Sequence, residues 1–482
     1  MTDAGGYRGV YVNGSWQAGA GEPVRVLDPS NERVIADIAS ASPDQVRAAL
    51  AAARAAAPGW SRTSAGERGR LLRRMADVIR MHADLLAETL VREVGKRAAE
   101  AAGEVAFAES FLRYNAEWDL RLEGEILPGD VPGEQVHLLR VPVGVVAAIC
   151  PWNFPLAVLC RKLGPALVTG NTVVVKPSEV TPIGTVVLFR LFDELLDVPP
   201  GVLNLVVGGP VVGRQIVESG EADLVTFTGH RDTGKAVMAA GSRHLTRVSL
   251  ELGGKAPAIV WRDADLDRAV PAILEARHTN CGQVCTSAER VLVHRDVLDE
   301  FTERYVQAVR GMRLGDPAGG ADLGPLVSQA QLNKVEAAVG LAVQEGAKVL
   351  TGGRRPAGDA FASGYWYEPT VFGGVSPQMS VMREETFGPV TPILGFDDLA
   401  DALSIANNSR YGLSAYVFSR DYSTVMRTVD ELEFGEIYVN RTLGESVHAH
   451  HAGWKESGMG GEDGKWGVLR YTQLKTAYHR FA

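Results

Sequence analysis

The stretch Val143-Gly144-Val145-Val146-Ala147-Ala148-Ile149-Cys150-Pro151-Trp152-Asn153-Phe154-Pro155 decides how the rest of the chain is read. Its first half is a short, nearly continuous apolar run, the pattern of a strand buried on both faces. Its second half is a loop in which prolines bracket a tryptophan, an asparagine and a phenylalanine. Residues 172–175, 202–207 and 224–227 are runs of the same kind, with helical stretches between them. Strand, helix and strand at this spacing give right-handed crossovers and an α/β fold with a doubly wound parallel sheet, whose ligand sites lie at the carboxyl ends of the strands. Each run is followed by a distinctive loop: 151–155 after the first, Lys176-Pro177-Ser178-Glu179 after the second, Gly208-Gly209-Pro210 after the third and Thr228-Gly229-His230 after the fourth.

Outward from this core, residues 42–118 are rich in Ala, Arg, Glu and Leu with apolar positions at helical spacing. Residues 122–127 and 135–141 flank Pro128-Gly129-Asp130-Val131-Pro132-Gly133 and read as a hairpin. Placed before the main sheet, such a hairpin would serve another chain. After Gly253-Gly254 a second α/β region runs to about Asn440, with strand-like residues 257–260 and 291–294. No internal repeat occurs, and the one low-complexity stretch is the Ala-rich helix at residues 48–57.

The chain has 482 residues, 46% hydrophobic and 22% charged, which excludes a disordered or collagen-like protein and a single small module. Lys and Arg number 49 against 58 Asp and Glu, a net charge of −9 that disfavours nucleic acid or an anionic membrane as partner. Four cysteines, Cys150, Cys160, Cys281 and Cys285, cannot form a dense disulfide framework. The N-terminal residues lack a basic stretch followed by an apolar one, and no run of about 18 apolar residues occurs. These features predict a cytoplasmic enzyme acting on a small molecule.

Residues 229–235 read G-x-x-x-x-G-K, the opening of a P-loop, but Ala236 follows and supplies no hydroxyl for magnesium. A G-x-G-x-x-G fingerprint follows none of the strands. Gly208-Gly209-Pro210-Val211-Val212-Gly213 would instead let a dinucleotide approach a helix N-terminus, or be only a turn. Lys176 and Glu179 would hold a ribose, or be a solvated pair. Cys285 would be a nucleophile with Glu251 as base, although 34 residues separate them and only the fold would join them. Cys281 and Cys285 are equally readable as core residues, or less readily as zinc ligands or a redox pair.

PWNFP (151–155), KPSE (176–179), FTGH (227–230), ELGGK (251–255), NCGQVC (280–285), EETFGPV (384–390) and SGMGGEDG (457–464), in this order, resemble the aldehyde dehydrogenase superfamily across almost the whole chain. The resemblance implies an NAD-binding domain from 1–121 and 143–252, an α/β catalytic domain from 253–451, and a small β oligomerisation element from 122–142 and 464–482, assembled as a homodimer or homotetramer. It implies a thiohemiacetal on Cys285, hydride transfer to the nicotinamide, and thioester hydrolysis by water that Glu251 activates. The Asn153 side chain and the Cys285 main-chain amide would hold the oxyanion, each donor contributing roughly 3 kcal/mol. Lys162 would belong to a proton path from the glutamate, with Glu462 as its outer member. No metal is expected.

For the cofactor, the resemblance places Lys176 and Glu179 on the adenosine ribose, Gly209 and Gly213 near adenine and pyrophosphate, and Glu385 with Phe387 around the nicotinamide ribose. Trp152, Ser178, Gly229, His230 and Leu252 complete that set. NAD is expected over NADP, because a carboxylate at Glu179 repels a 2′-phosphate. His230 stands where many relatives have serine. Arg161-Lys162, Ala288-Glu289-Arg290, His451-Ala452-Gly453-Trp454 and the tail glycines resemble a subgroup that oxidises lactaldehyde and glycolaldehyde. Arg161 and His451 are therefore expected to converge on the substrate, with the guanidinium favouring oxygen-rich or anionic aldehydes, unless it serves a structural ion pair. The alternatives are an enzyme for a specialised semialdehyde, aminoaldehyde or biosynthetic aldehyde, and a noncatalytic binding protein on the same fold.

Overall fold

The structure, a computed structural model, describes residues 7–481. Its first sheet has eight strands, and five of them, Leu203–Val206, Thr172–Lys176, Val145–Ile149, Leu224–Thr228 and Arg247–Glu251, lie side by side in that order and run parallel. The chain builds outward from Val145–Ile149 in one direction, then returns to its other flank. The strand ends diverge there, between Val145–Ile149 and Leu224–Thr228, which is where such sheets open a crevice. Every residue of Val145–Ile149 and Thr172–Lys176 is buried, as strands covered by helices on both faces must be.

Two features of this sheet were not legible as apolar runs. Arg247–Glu251 is a fifth parallel strand with charged residues at both ends. Short antiparallel strands close the edges: Val10–Val12 pairs with Leu203–Val206, and Gly458–Met459 pairs with Arg247–Glu251. The second sheet has seven strands in the order Lys348–Thr351, Thr370–Gly373, Val390–Phe396, Arg290–His294, Pro257–Val260, Ser414–Phe418 and Glu436–Val439, all parallel except the first.

The helical region consists of Pro43–Arg62, Ala65–Met81, Ala83–Val94 and Ala98–Ala116. Ser42 and Ser64 each begin a helix with a capping box, which fixes those boundaries. The hairpin strands are Glu125–Pro128 and Glu134–Pro142, the first starting three residues later than the sequence pattern suggests and the second reaching one residue further at each end. Thr472–Arg480 pairs along the full length of Glu134–Pro142, so hairpin and tail form one three-stranded sheet. Ile126, Leu474 and Tyr478 remain exposed on it. Asn171 ties this tail to the first sheet: its amide donates to Tyr471 O at 2.9 Å and its carbonyl accepts from Gly144 N at 2.8 Å. Among the described residues no helix is long and apolar enough to cross a membrane.

Candidate active site

The loop after Val145–Ile149 turns into the helix Pro155–Val168, with Pro155 in its first turn where a missing N–H costs nothing. It delivers Asn153, buried, whose amide donates to Gln283 O at 3.0 Å. Gln283 belongs to the segment carrying Cys285, which follows a tight turn, Thr279–Gly282, in which Asn280 and Cys281 take left-handed φ of 50° and 57°. Such φ values are costly for non-glycine residues and persist only where surroundings enforce them. The enforcement comes partly from Arg277, fully buried, which donates to Val390 O at 2.8 Å, to Ser287 Oγ at 2.5 Å and to Gly388 O. All four cysteines are free thiols, and Cys285 alone is not fully buried.

Cys285 opens into a cavity of about 730 Å³ that also touches Asn153 and Glu251. Trp152, Arg161, Gly229, His230, Leu252, Glu385, Phe387 and His451 line the same space. Glu251 sits at the carboxyl end of its strand, buried, with neither carboxyl oxygen hydrogen-bonded. Burial pushes its pKa up to about 8, opposed by the positive His451, whose Nε2 lies 3.8 Å from Oε2. Burial also pushes the Cys285 thiol up, reinforced by the Glu445 carboxylate and opposed by Arg161.

Arg161 and His451 meet at Glu445. The Arg161 guanidinium pairs with Glu445 and, at 2.9 Å, with Asp463, and lies 4.8 Å from the Phe111 ring centre. His451 Nδ1 is 3.0 Å from Glu436 Oε1 and 4.0 Å from Glu445 Oε1. Although burial alone would lower the His451 pKa, the Glu445 and Glu436 carboxylates raise it to about 10. The expectation that Arg161 selects anionic substrates needs correction, since two carboxylates already neutralise its charge. What remains is a wall of hydrogen-bond donors and acceptors. Glu436, Glu445 and Asp463 were not identified from sequence; acidic residues flanking His451 were the available signal. Glu436, Glu445 and His451 place ligand atoms within 4.8 Å of one another, but the guanidinium on Glu445 opposes a cation there.

Lys162 lies outside the cavity wall, fully buried, donating to Thr226 Oγ1 at 2.8 Å and Glu462 Oε1 at 2.6 Å. A second group of residues gathers at neighbouring strand ends, also outside the cavity lining. Lys176 Nζ donates to Glu179 Oε2 at 3.2 Å, Ser178 Oγ accepts from Val180 N, and a Cβ added at Gly213 would lie 3.6 Å from Lys176 Cδ. Gly209, the N-cap of the helix Pro210–Glu218, has nothing within 4 Å of its missing Cβ. An open glycine at a helix N-terminus beside a lysine and a carboxylate fits a dinucleotide. Trp152 and Phe387 stack edge to face at 5.4 Å, and Glu385 accepts from Gly254 N at 2.8 Å. Gln331 and Lys334, absent from the sequence reading, line the cavity beside them. Lys235, the lysine of the P-loop-like segment, pairs with Glu456 at 2.9 Å on the helix Arg231–Gly241.

A free thiol, an unpaired carboxyl and an amide donor at one cavity between two α/β sheets are the parts of an acyl-transfer site. The chain belongs to the aldehyde dehydrogenase family, whose profile matches residues 16–477. It is an oxidoreductase that acts on aldehydes with NAD(P). Among individual proteins it is 42% identical to the lactaldehyde dehydrogenase of Escherichia coli (strain K12) over 97% of this chain and 98% of that one. It is likewise 42% identical to the 3,6-anhydro-alpha-L-galactose dehydrogenase of Vibrio sp. (strain EJY3), over 98% and 99%. The crystal structure of the Escherichia coli lactaldehyde dehydrogenase superposes with a TM-score of 0.95 at 41% identity, covering 98% of this chain and 99% of that one.

We propose Glu251 as the catalytic base, and its state then sets a pH dependence. A base must be ionised, and a pKa raised to about 8 leaves the carboxyl largely protonated at pH 6. Steady-state kcat is therefore expected to climb with pH and flatten above about 8. In Glu251→Gln that limb should vanish and turnover fall by about 10²-fold or more, while a single equivalent of NADH still forms. A flat wild-type profile between pH 6 and 9 would contradict this.

Proposed function

We propose that this enzyme oxidises a small hydroxyaldehyde, such as lactaldehyde or glycolaldehyde, to the carboxylic acid with NAD. The observation that carries the reading is the Glu251 carboxyl, buried at the cavity that holds Cys285 with neither oxygen hydrogen-bonded, because a base whose lone pairs are free is available to water. In this reading the Cys285 sulfur adds to the aldehyde carbon, and its proton leaves to solvent or base. The Asn153 amide and the Cys285 main-chain N–H receive the oxyanion. NAD, held by Lys176, Glu179 and the glycines at the helix Pro210–Glu218 and flanked by Glu385 and Phe387, supplies the hydride acceptor. Glu251 then takes a proton from water as its oxygen adds to the thioester, the C–S bond breaks, and the acid departs. Lys162 and Glu462 carry that proton outward.

The substrate assignment rests on the polar wall at Glu445. A substrate hydroxyl can donate to the carboxylate and accept from Arg161 or His451, whereas an alkyl chain leaves those groups unpaired, at about 1–3 kcal/mol each. A panel of glycolaldehyde, lactaldehyde, 3,6-anhydro-L-galactose, succinate semialdehyde and hexanal tests it. Hydroxyaldehydes should exceed hexanal in kcat/KM by about tenfold or more, and Cys285→Ala should abolish oxidation of all while NAD binding persists. Turnover by Cys285→Ala would overturn the mechanism, and a preference for hexanal would overturn the substrate class.

The cofactor choice rests on Glu179, half-exposed beside Lys176. Glu179→Ala should raise the NADP-to-NAD ratio of kcat/KM by about tenfold, and an unchanged ratio would show that this carboxylate does not face the 2′ position.

A homo-oligomer, dimer or tetramer, is supported by the exposed Ile126, Leu474 and Tyr478 on a sheet whose outer strands have free edges. Sedimentation of a monomer at micromolar concentration would refute it. The four unpaired cysteines suit a reducing compartment, in keeping with a cytoplasmic location.

A further inference from the structure

The helix Ala98–Ala116 carries two glutamates, Glu100 and Glu104, one turn apart and therefore on one face. Each reaches a different loop of the active site. Glu104, fully buried, accepts from Leu156 N at 2.9 Å and Ala157 N at 3.2 Å through one carboxyl oxygen, and from Lys96 Nζ through the other. It thus caps the helix that follows Asn153, a helix that has no side-chain cap of its own at Phe154. The Lys96 ammonium sits 3.3 Å from the centre of the Phe154 ring, holding the residue next to Asn153 from its other side.

Glu100 does the corresponding work on the nucleophile's loop. Its Oε1 accepts from Asn280 N at 3.0 Å and from Arg97 Nη2 at 2.8 Å. Asn280 is the first of the two left-handed residues that precede Cys285. Its amide in turn donates to Asn153 O and to Gln283 O, both at 3.3 Å, and Asn153 donates to the same Gln283 O at 3.0 Å. A circuit closes: from the helix through Glu100 to Asn280, across to Asn153, along the chain to Leu156, and back through Glu104 to the helix. The loop of one sheet and the loop of the other are both referenced to a single rigid rod.

We infer that Glu100 and Glu104 are positioning residues for the oxyanion hole, fixing the Asn153 amide in register with the Cys285 main chain. The inference rests on the reading of Cys285 as the nucleophile and deepens it. An oxyanion donor works only when it is held where the negative charge develops, so a shared rigid support acts on the rate of the covalent and hydride steps and not on cofactor affinity. Glu100 is the cleaner probe, because it is only partly buried and its loss leaves no unpaired charge in the core.

Glu100→Ala is expected to slow the single-turnover burst of NADH by about tenfold or more, with the NAD dissociation constant, read by fluorescence titration, within about twofold of wild type. Glu100→Gln, whose side-chain carbonyl can still accept from Asn280 N, should recover most of the burst. The double variant Lys96→Met/Glu104→Leu removes the buried pair and the acceptor for Leu156 N and Ala157 N without stranding a charge, and should slow the burst in the same way. Amide hydrogen exchange gives a readout that needs no turnover: residues 279–286 should exchange faster in Glu100→Ala, and residues 151–157 in the double variant. A normal burst in folded Glu100→Ala, or unchanged exchange in both segments, overturns the inference. Retained turnover in Cys285→Ala would instead overturn the reading beneath it, so the two failures are distinguishable.

Discussion

Backbone groups in a loop buried between two sheets have neither a neighbouring strand nor water to bond to, and every buried N–H and C=O must still find a partner. Here ionised side chains fill that need. Arg277 serves the carbonyls of Gly388 and Val390, and Glu289 serves the amides of Thr386 at 2.9 Å and Phe387 at 2.7 Å, itself paired with Lys255 at 2.6 Å. Glu93, whose pKa burial pushes up to about 8, accepts from Ile183 N and Gly184 N, both at 2.8 Å, at the start of the helix Ile183–Leu195. Removing one partner of such a buried arrangement typically costs about 3–5 kcal/mol, because the other is left desolvated. The loops between the sheets are irregular in backbone shape yet have few alternatives, which is what a site that must hold a nucleophile and an amide donor in fixed relation requires.

Charge balance at the inner end of the cavity follows the same economy. Glu251, Glu436, Glu445, Glu462 and Asp463 face only Arg161, Lys162 and His451. Burial, with a smaller push from neighbouring carboxylates, raises Asp463 to about 7 and Glu251 to about 8, while the Glu445 and Glu436 carboxylates hold His451 protonated. Glu462, next to Lys162 and Arg161, stays low. Of the two carboxyls pushed up, the one that holds its proton more tightly is thus Glu251, which has no hydrogen-bond partner and lines the cavity beside Cys285. A substrate bearing its own carboxylate would add to the excess of negative charge. A neutral hydroxyl would not.

What the sequence disclosed and what it withheld divide along a physical line. Strands buried on both faces are locally apolar, so the runs at 143–149 and 172–175 are visible without any knowledge of their neighbours. Arg247–Glu251 is hidden because its ends carry charge, the second of them for chemical reasons. The loops after each strand are visible because parallel topology sends every ligand-facing turn to the same edge. Glu445 is invisible because its partner Arg161 lies 284 residues away and nothing local marks either as half of a pair. Glu100 and Glu104 are hidden differently: on an Ala-rich helix two acidic residues one turn apart look like a solvated face, and only the docking of that helix against the loops of Asn153 and Asn280 turns them inward.

His230 shows how an imidazole can cap a helix without adding charge to the cavity wall. It is the N-cap of the helix Arg231–Gly241, and its Nδ1 accepts from Asp232 N at 3.2 Å. An imidazole nitrogen that accepts carries no proton, so the proton resides on Nε2. Protonating Nδ1 would break the cap and turn the ring toward the Asp232 carboxylate, 3.8 Å away. Burial and the positive Lys334 both lower the pKa, and the helix N-terminus adds its own opposition to a cation. The ring is consequently neutral at physiological pH and, on the wall of the cavity, has one N–H donor to offer. A serine hydroxyl in its place would offer the same single donor on a shorter arm, so the exchange alters reach while leaving the charge at this part of the cavity wall unchanged.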